Sequence, residues 1–168
     1  MSNPILDLPL VHETRRNHAL EHATLHVLSA KHPGHPMAGH SNPTGFFILG
    51  NLPTEEVRAA VTQALTRLRA GERELAIHAG CGTNLATSAL LAGTFAWFVL
   101  RGGKSLFGRI LRLPFALAFA LVGLAVSQPL GPVIQAKITT DADMGDLQIV
   151  DVRPTVRGRL TAHRVITQ

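Results

Sequence analysis

Two long stretches of this chain, Ala79–Leu100 and Leu113–Ala136, carry no charged side chain, and they limit the fold more than any other feature. A helix crossing a bilayer needs about 20 consecutive, mainly apolar residues, because its backbone polar groups find no partner in hydrocarbon. Each stretch reaches that length, although Thr, Ser, Asn, Gly and Pro dilute its hydropathy. The expectation is a transmembrane helical hairpin; the alternative is a buried helical pair in a soluble core. Arg101, Lys104, Arg109 and Arg112 lie between the stretches, where they meet lipid headgroups. The net charge of +5 therefore points to an anionic lipid surface. It does not point to nucleic acid, whose modules add exposed aromatic side chains that this tyrosine-free chain scarcely has.

The second informative feature is Asn17-His18-Ala19-Leu20-Glu21-His22, which places His-x-x-Glu-His in a segment that reads as helix. Histidines four residues apart lie almost above one another on a helix and can face one metal ion. Glu21 between them is the candidate catalytic group, able to deprotonate a metal-bound water. This is the spacing of the inverted zinc-peptidase signature. Only the motif is shared with those enzymes, whose third ligand is a distant glutamate; here Glu55, Glu56, Glu72 and Glu74 are available.

Seven of the nine histidines fall within the first 40 residues. The alternative to metal binding is that these rings make structural hydrogen bonds. His26 lies two helical turns beyond His18, about 12 Å away, so it cannot share that ion and instead offers a second site or packs. His78 and Cys81 come from a different element and are spaced for convergence. With a single cysteine, disulfide frameworks and multi-cysteine zinc modules are excluded. A zinc site must therefore draw mainly on His and carboxylates, and the candidate ligands are His18, His22, His26, His78 and Cys81.

The remaining pattern describes a small α+β domain interrupted by the hairpin. A first helix is expected from Thr14 to Ala30, capped by Thr14 and stopped by His32-Pro33-Gly34. Lys31–Thr44 reads as a loop, and Gly45–Gly50 as a short buried strand. A second helix starts at Pro53 with an apolar stripe through Val57, Ala60, Val61, Ala64, Leu65 and Leu68. Glu74–His78 alternates as another strand, giving a parallel crossover. Thr83 or Asn84 is expected to cap the first membrane helix. After the hairpin, Asp146–Val152 and Leu160–Ile166 read as strands that complete the sheet. The parts are residues 1–80, 81–136 and 137–168.

Other motifs fail in detail. Asp141–Asp146 resembles a calcium loop, but Asp146 and Val152 stand where glycine and the bidentate glutamate are required, so an acidic turn is expected. Arg101–Ser105 mimics the end of a phosphate loop, with Phe98 in place of its first glycine. No nucleophile elbow or dinucleotide fingerprint occurs. Met1–Leu10, with Asp7 and two prolines, has no cleavable signal pattern.

Arg15–Thr24, Cys81-Gly82-Thr83-Asn84, and Thr139-Thr140 through Gly145-Asp146-Leu147 together resemble a family of small bacterial membrane proteins known as a domain of unknown function. That resemblance implies a shared fold and supplies no activity. The residues themselves point to a membrane-anchored divalent-metal (zinc) binding protein, with metal-dependent hydrolysis of a peptide or protein substrate as its sharper form. The alternative is a non-enzymatic membrane interaction or assembly module. The protein is expected to be multi-pass. Basic residues on the domain side of the hairpin (Arg67, Arg69, Arg73, Lys137) balance those in its turn, so the missing signal decides for a cytoplasmic domain.

Overall fold

The computed structural model describes residues 4–103, 105–157 and 160–168. The chain divides into two compact units, one built from Met1–His78 with Ala136–Gln168, the other from Ala79–Gln135. The first unit is α+β. Its helix α1 (Pro9–Lys31) is followed by strands β1 (Ala38–Asn42) and β2 (Gly45–Leu49), helix α2 (Thr54–Arg69) and a 3-10 turn (Arg73–Ala76). The unit closes with β3 (Ile149–Arg157) and β4 (Leu160–Thr167). The strands form one antiparallel sheet in the order β1-β2-β4-β3.

One face of this sheet, carrying Phe46, Ile48, Val152 and Val165, is buried against α1 and α2. The expected stripe of α2 is buried at every position. Helix α1 starts earlier than its Thr14 signal, because Pro9 occupies its first turn, where a missing N–H costs nothing. Thr14 is inside the helix, its hydroxyl donating to the Leu10 carbonyl at 2.7 Å.

Two expectations fail here. Glu74–His78 is not a strand, and the sheet contains no parallel crossover among the described residues. The carbonyls of Ala76 and Ile77 are taken by histidine side chains instead of by a neighbouring strand. Conversely, β1 lies inside the segment expected to be a loop. Its sequence, Ala-Gly-His-Ser-Asn, has no apolar alternation to announce it. It is ordered by pairing with β2 across a tight turn, in which the Asn42 side chain accepts from the Thr44 backbone N–H at 3.0 Å.

On the buried sheet face, His163 pairs in register with Ile48 and Pro154 and is 1% exposed. Its Nε2 lies 3.1 Å from the Thr54 hydroxyl, while Nδ1 has no hydrogen-bond partner among the described residues. Burial pushes its pKa below the ordinary histidine value. The folded protein then resists a proton that the unfolded chain accepts. This contribution to stability is present above about pH 6.5 and is lost as pH falls through that value. Melting temperatures of the detergent-solubilised protein should therefore drop between pH 7.5 and pH 5, and His163→Gln should flatten that slope. An unchanged slope would show that His163 does not carry it.

The second unit contains α3 (Gly82–Leu100), a short α4 (Leu106–Ile110) and α5 (Leu113–Ile134). Cys81, not Thr83 or Asn84, caps α3, its sulfur accepting from the Thr83 N–H at 3.4 Å. Helices α3 and α5 pack through small and polar residues. A Cβ on Gly123 would sit 2.8 Å from the Leu91 carbonyl oxygen, and the Ser88 and Ser127 hydroxyls meet at 2.7 Å. Asn84 accepts from the Gln135 amide at 2.6 Å. The large side chains, including Leu85, Leu90, Phe98, Phe115 and Phe119, point outward and are exposed. Small residues inside and large apolar ones outside invert the pattern of a water-soluble helical pair. Gly82–Leu100 and Leu113–Thr139 are both long and apolar enough to cross a membrane.

Candidate metal centre

Nearly every polar residue in the Arg15–His26 run docks a different segment of the first unit. Arg15 donates to the carbonyls of Ile138 at 2.8 Å and Thr140 at 3.0 Å, and pairs with Asp141. Arg16, almost wholly buried, donates to the Met144 carbonyl and pairs with Asp146 at 3.1 Å. That guanidinium holds the Asp146 carboxyl below its ordinary pKa. The acidic segment is indeed a turn, with backbone N–H groups of Asp143 and Gly145 bonded to the side chains of Asp141 and Asp143. Asn17 donates to the Asn42 and Pro43 carbonyls and accepts from Thr167, tying the β1–β2 turn to the end of β4.

Three histidines of α1 are oriented by backbone carbonyls. His18 Nδ1 lies 2.9 Å from the Thr139 oxygen and His22 Nδ1 2.7 Å from the Ala76 oxygen. His26 uses the other nitrogen, Nε2, toward the Ile77 oxygen at 2.8 Å. A carbonyl can only accept, so the ring nitrogen facing it carries the proton. In the neutral ring the lone pair is then on Nε2 of His18 and His22, and on Nδ1 of His26. The rings form a continuous run. Centroids of His18 and His22 are 4.3 Å apart, those of His22 and His78 5.6 Å, and those of His78 and His26 5.1 Å.

Cys81 belongs to the second unit, whereas His18, His22, His26 and His78 all belong to the first. Among the described residues, the four glutamates weighed as third ligands join no group of three metal-ligating side chains. Glu56 instead contacts His32 at 2.6 Å, and Glu72 is engaged by Arg67. Arg67 lowers the Glu72 carboxyl's pKa, and Glu72 raises that of the guanidinium.

Glu21 points toward the sheet. Its carboxylate accepts from the Ser41 hydroxyl at 2.5 Å and is 4% exposed. A Cβ on Gly39 would fall 2.0 Å from a carboxylate oxygen, so glycine in β1 makes the room. Gly39 and Ser41 escaped the sequence reading because β1 itself did. The carbonyls of Ala76 and Thr139 have no signature in any sequence, being backbone groups common to all residues.

A cleft of about 360 Å³ opens beside the two segments that supply these carbonyls, lined by Arg73, Glu74, Ile77, Thr140 and Asp143 among others.

An α+β unit with an imidazole-rich helix, paired in one chain with two long apolar helices, defines the class of protein. Residues 13–152 match the family described as Domain of unknown function (DUF6391), and the chain belongs to that family. An uncharacterized protein from Picosynechococcus sp. (strain ATCC 27264 / PCC 7002 / PR-6) is 36% identical over 140 residues. The match covers 75% of this chain and 65% of that relative's length. No solved structure is significantly similar to the chain.

Proposed function

We propose that this protein is a membrane-embedded binder of a divalent metal, zinc by preference, held by Nε2 of His18, Nε2 of His22 and the Cys81 thiolate. The observation that carries the reading is the shared orientation of the two histidines. Each gives its Nδ1–H to a backbone carbonyl, the arrangement that fixes the tautomer and raises the basicity of metal-binding imidazoles. Two imidazoles and a thiolate suit zinc among the common divalent ions. Tetrahedral zinc brings its donors to about 3.3–3.7 Å from one another. A fourth position then falls to water or substrate.

The finer reading is hydrolysis of a peptide, with Glu21 as general base toward the metal-bound water. For this the carboxylate must exchange Ser41 for that water. A second reading is favoured by the hydrogen bonds from His22 and His26 to consecutive carbonyls, which staple α1 to the 3-10 segment without any metal. We place the α+β unit on the cytoplasmic face, where Arg67, Arg69, Arg73 and Lys137 would meet anionic lipid.

One preparation tests both halves. Membranes washed with sodium carbonate should retain the full-length chain, and protein then extracted in detergent without a nickel column should carry a near-stoichiometric divalent metal. Release by carbonate would return the hairpin to a soluble core. Metal-free protein would leave the histidines as staples.

A further inference from the structure

We propose that His26 and His78 hold a second divalent cation, half-exposed and exchangeable, next to the position proposed at His18 and His22; it rests on the reading above only for the order in which the two positions fill. The separation of the two rings fits an ion held between them. A metal–nitrogen bond of about 2.0–2.1 Å, extended by roughly 1.1 Å to the ring centre, puts each centroid about 3.2 Å from the ion. Two such arms at a tetrahedral angle separate the centroids by about 5.2 Å. The rings of His26 and His78 are 5.1 Å apart and inclined at 71°.

His26 is already oriented for this. Its Nε2–H is given to the Ile77 carbonyl, so the Nδ1 lone pair is the one available to a cation, a mirror of the arrangement at His18 and His22. Ile77 precedes His78 directly, so the residue that orients one ligand also delivers the other. Both rings are partly exposed, whereas His22 is 1% exposed. Water can therefore complete the coordination shell of the outer ion, as the two protein ligands require. The His22–His78 contact at 5.6 Å places the two positions side by side. An ion arriving from solvent meets His26 and His78 first and is passed inward to the position with a thiolate, which binds it more strongly.

Cobalt titration of the full-length, chelator-stripped protein in detergent reads the two positions separately. Cobalt bound through Cys81 carries a thiolate charge-transfer band in the near ultraviolet, and a site built from imidazole and water does not. Two equivalents are expected, the first accompanied by that band and the second silent in it. In His26→Gln/His78→Gln the silent equivalent should disappear, reducing the stoichiometry from two to one, with the band intact. His78→Ala alone, which leaves the His26 bond to Ile77 in place, should weaken the same equivalent and serves as the check if the double variant does not fold. A parent without a band-silent equivalent, or a silent equivalent that survives in both variants, would overturn the proposal. A protein lacking the thiolate band but keeping an equivalent that needs His26 and His78 would support it, while removing the Cys81 site.

Discussion

Protein carrying His18→Ala and His22→Ala together is expected to retain only background levels of tightly bound metal, against about one equivalent in the parent. Removing two of three protein ligands leaves a lone thiolate, which cannot compete with chelators for a divalent ion. Since structural zinc contributes on the order of 10 kcal/mol where it couples to folding, loss of the ion should also lower the melting temperature. Part of that fall has another origin. Each Ala leaves a backbone carbonyl, at Thr139 or Ala76, without its imidazole donor, which costs about 1–3 kcal/mol per buried group. Cys81→Ser separates the two, because it removes the soft ligand and leaves both carbonyl bonds in place. Melting of the parent with and without chelator, beside Cys81→Ser, gives the metal's share directly. Retention of tight metal by the double alanine variant would exclude these two rings as its ligands.

Glu21→Gln is expected to leave metal content near that of the parent and to reduce peptide hydrolysis by about a hundredfold or more, the usual contribution of a general base. Gln keeps the shape of the side chain and can still accept from Ser41, so the fold is preserved while the proton acceptor is lost. Gly39→Ala probes the same carboxylate from the opposite side. Its Cβ would overlap the Glu21 oxygen, and displacing a buried side chain in this way costs about 1–3 kcal/mol. The paired measurements are metal content and turnover in a peptide screen for Glu21→Gln, with a melting curve for Gly39→Ala. A Glu21→Gln protein with full peptidase activity eliminates the general-base role, even with zinc present. A protein that keeps its metal, shows no turnover in either form and melts lower as Glu21→Gln would make the carboxylate a clamp between α1 and β1.

How much of this was legible in the sequence depends on the range of the interaction that encodes each element. The uncharged stretches declared two spanning-length helices because their signal is a property of every residue in a window of about 20. The apolar stripe of α2 declared itself for the same reason, being a local repeat with the period of its own backbone. The pairing of His18 with His22 followed from helix geometry alone.

What the sequence could not contain is where side chains find their partners. β1 has no periodicity, and only the β2 edge and the space left by Gly39 make it a strand. The segment Glu74–His78 alternates like a strand, yet its carbonyls face the histidines of α1, and side-chain donors replace the ladder a strand would need. The partners of Glu56 and Glu72, two of the glutamates weighed as third ligands, were decided in the same way. Glutamates that pair with His32 and Arg67 are already satisfied elsewhere. Local sequence determined the helices, the apolar hairpin and the histidine spacing, because those depend on near neighbours. Tertiary structure decided the sheet edge, the ring tautomers and the partners of the glutamates, because each depends on a backbone carbonyl or side chain brought in from a distant part of the chain.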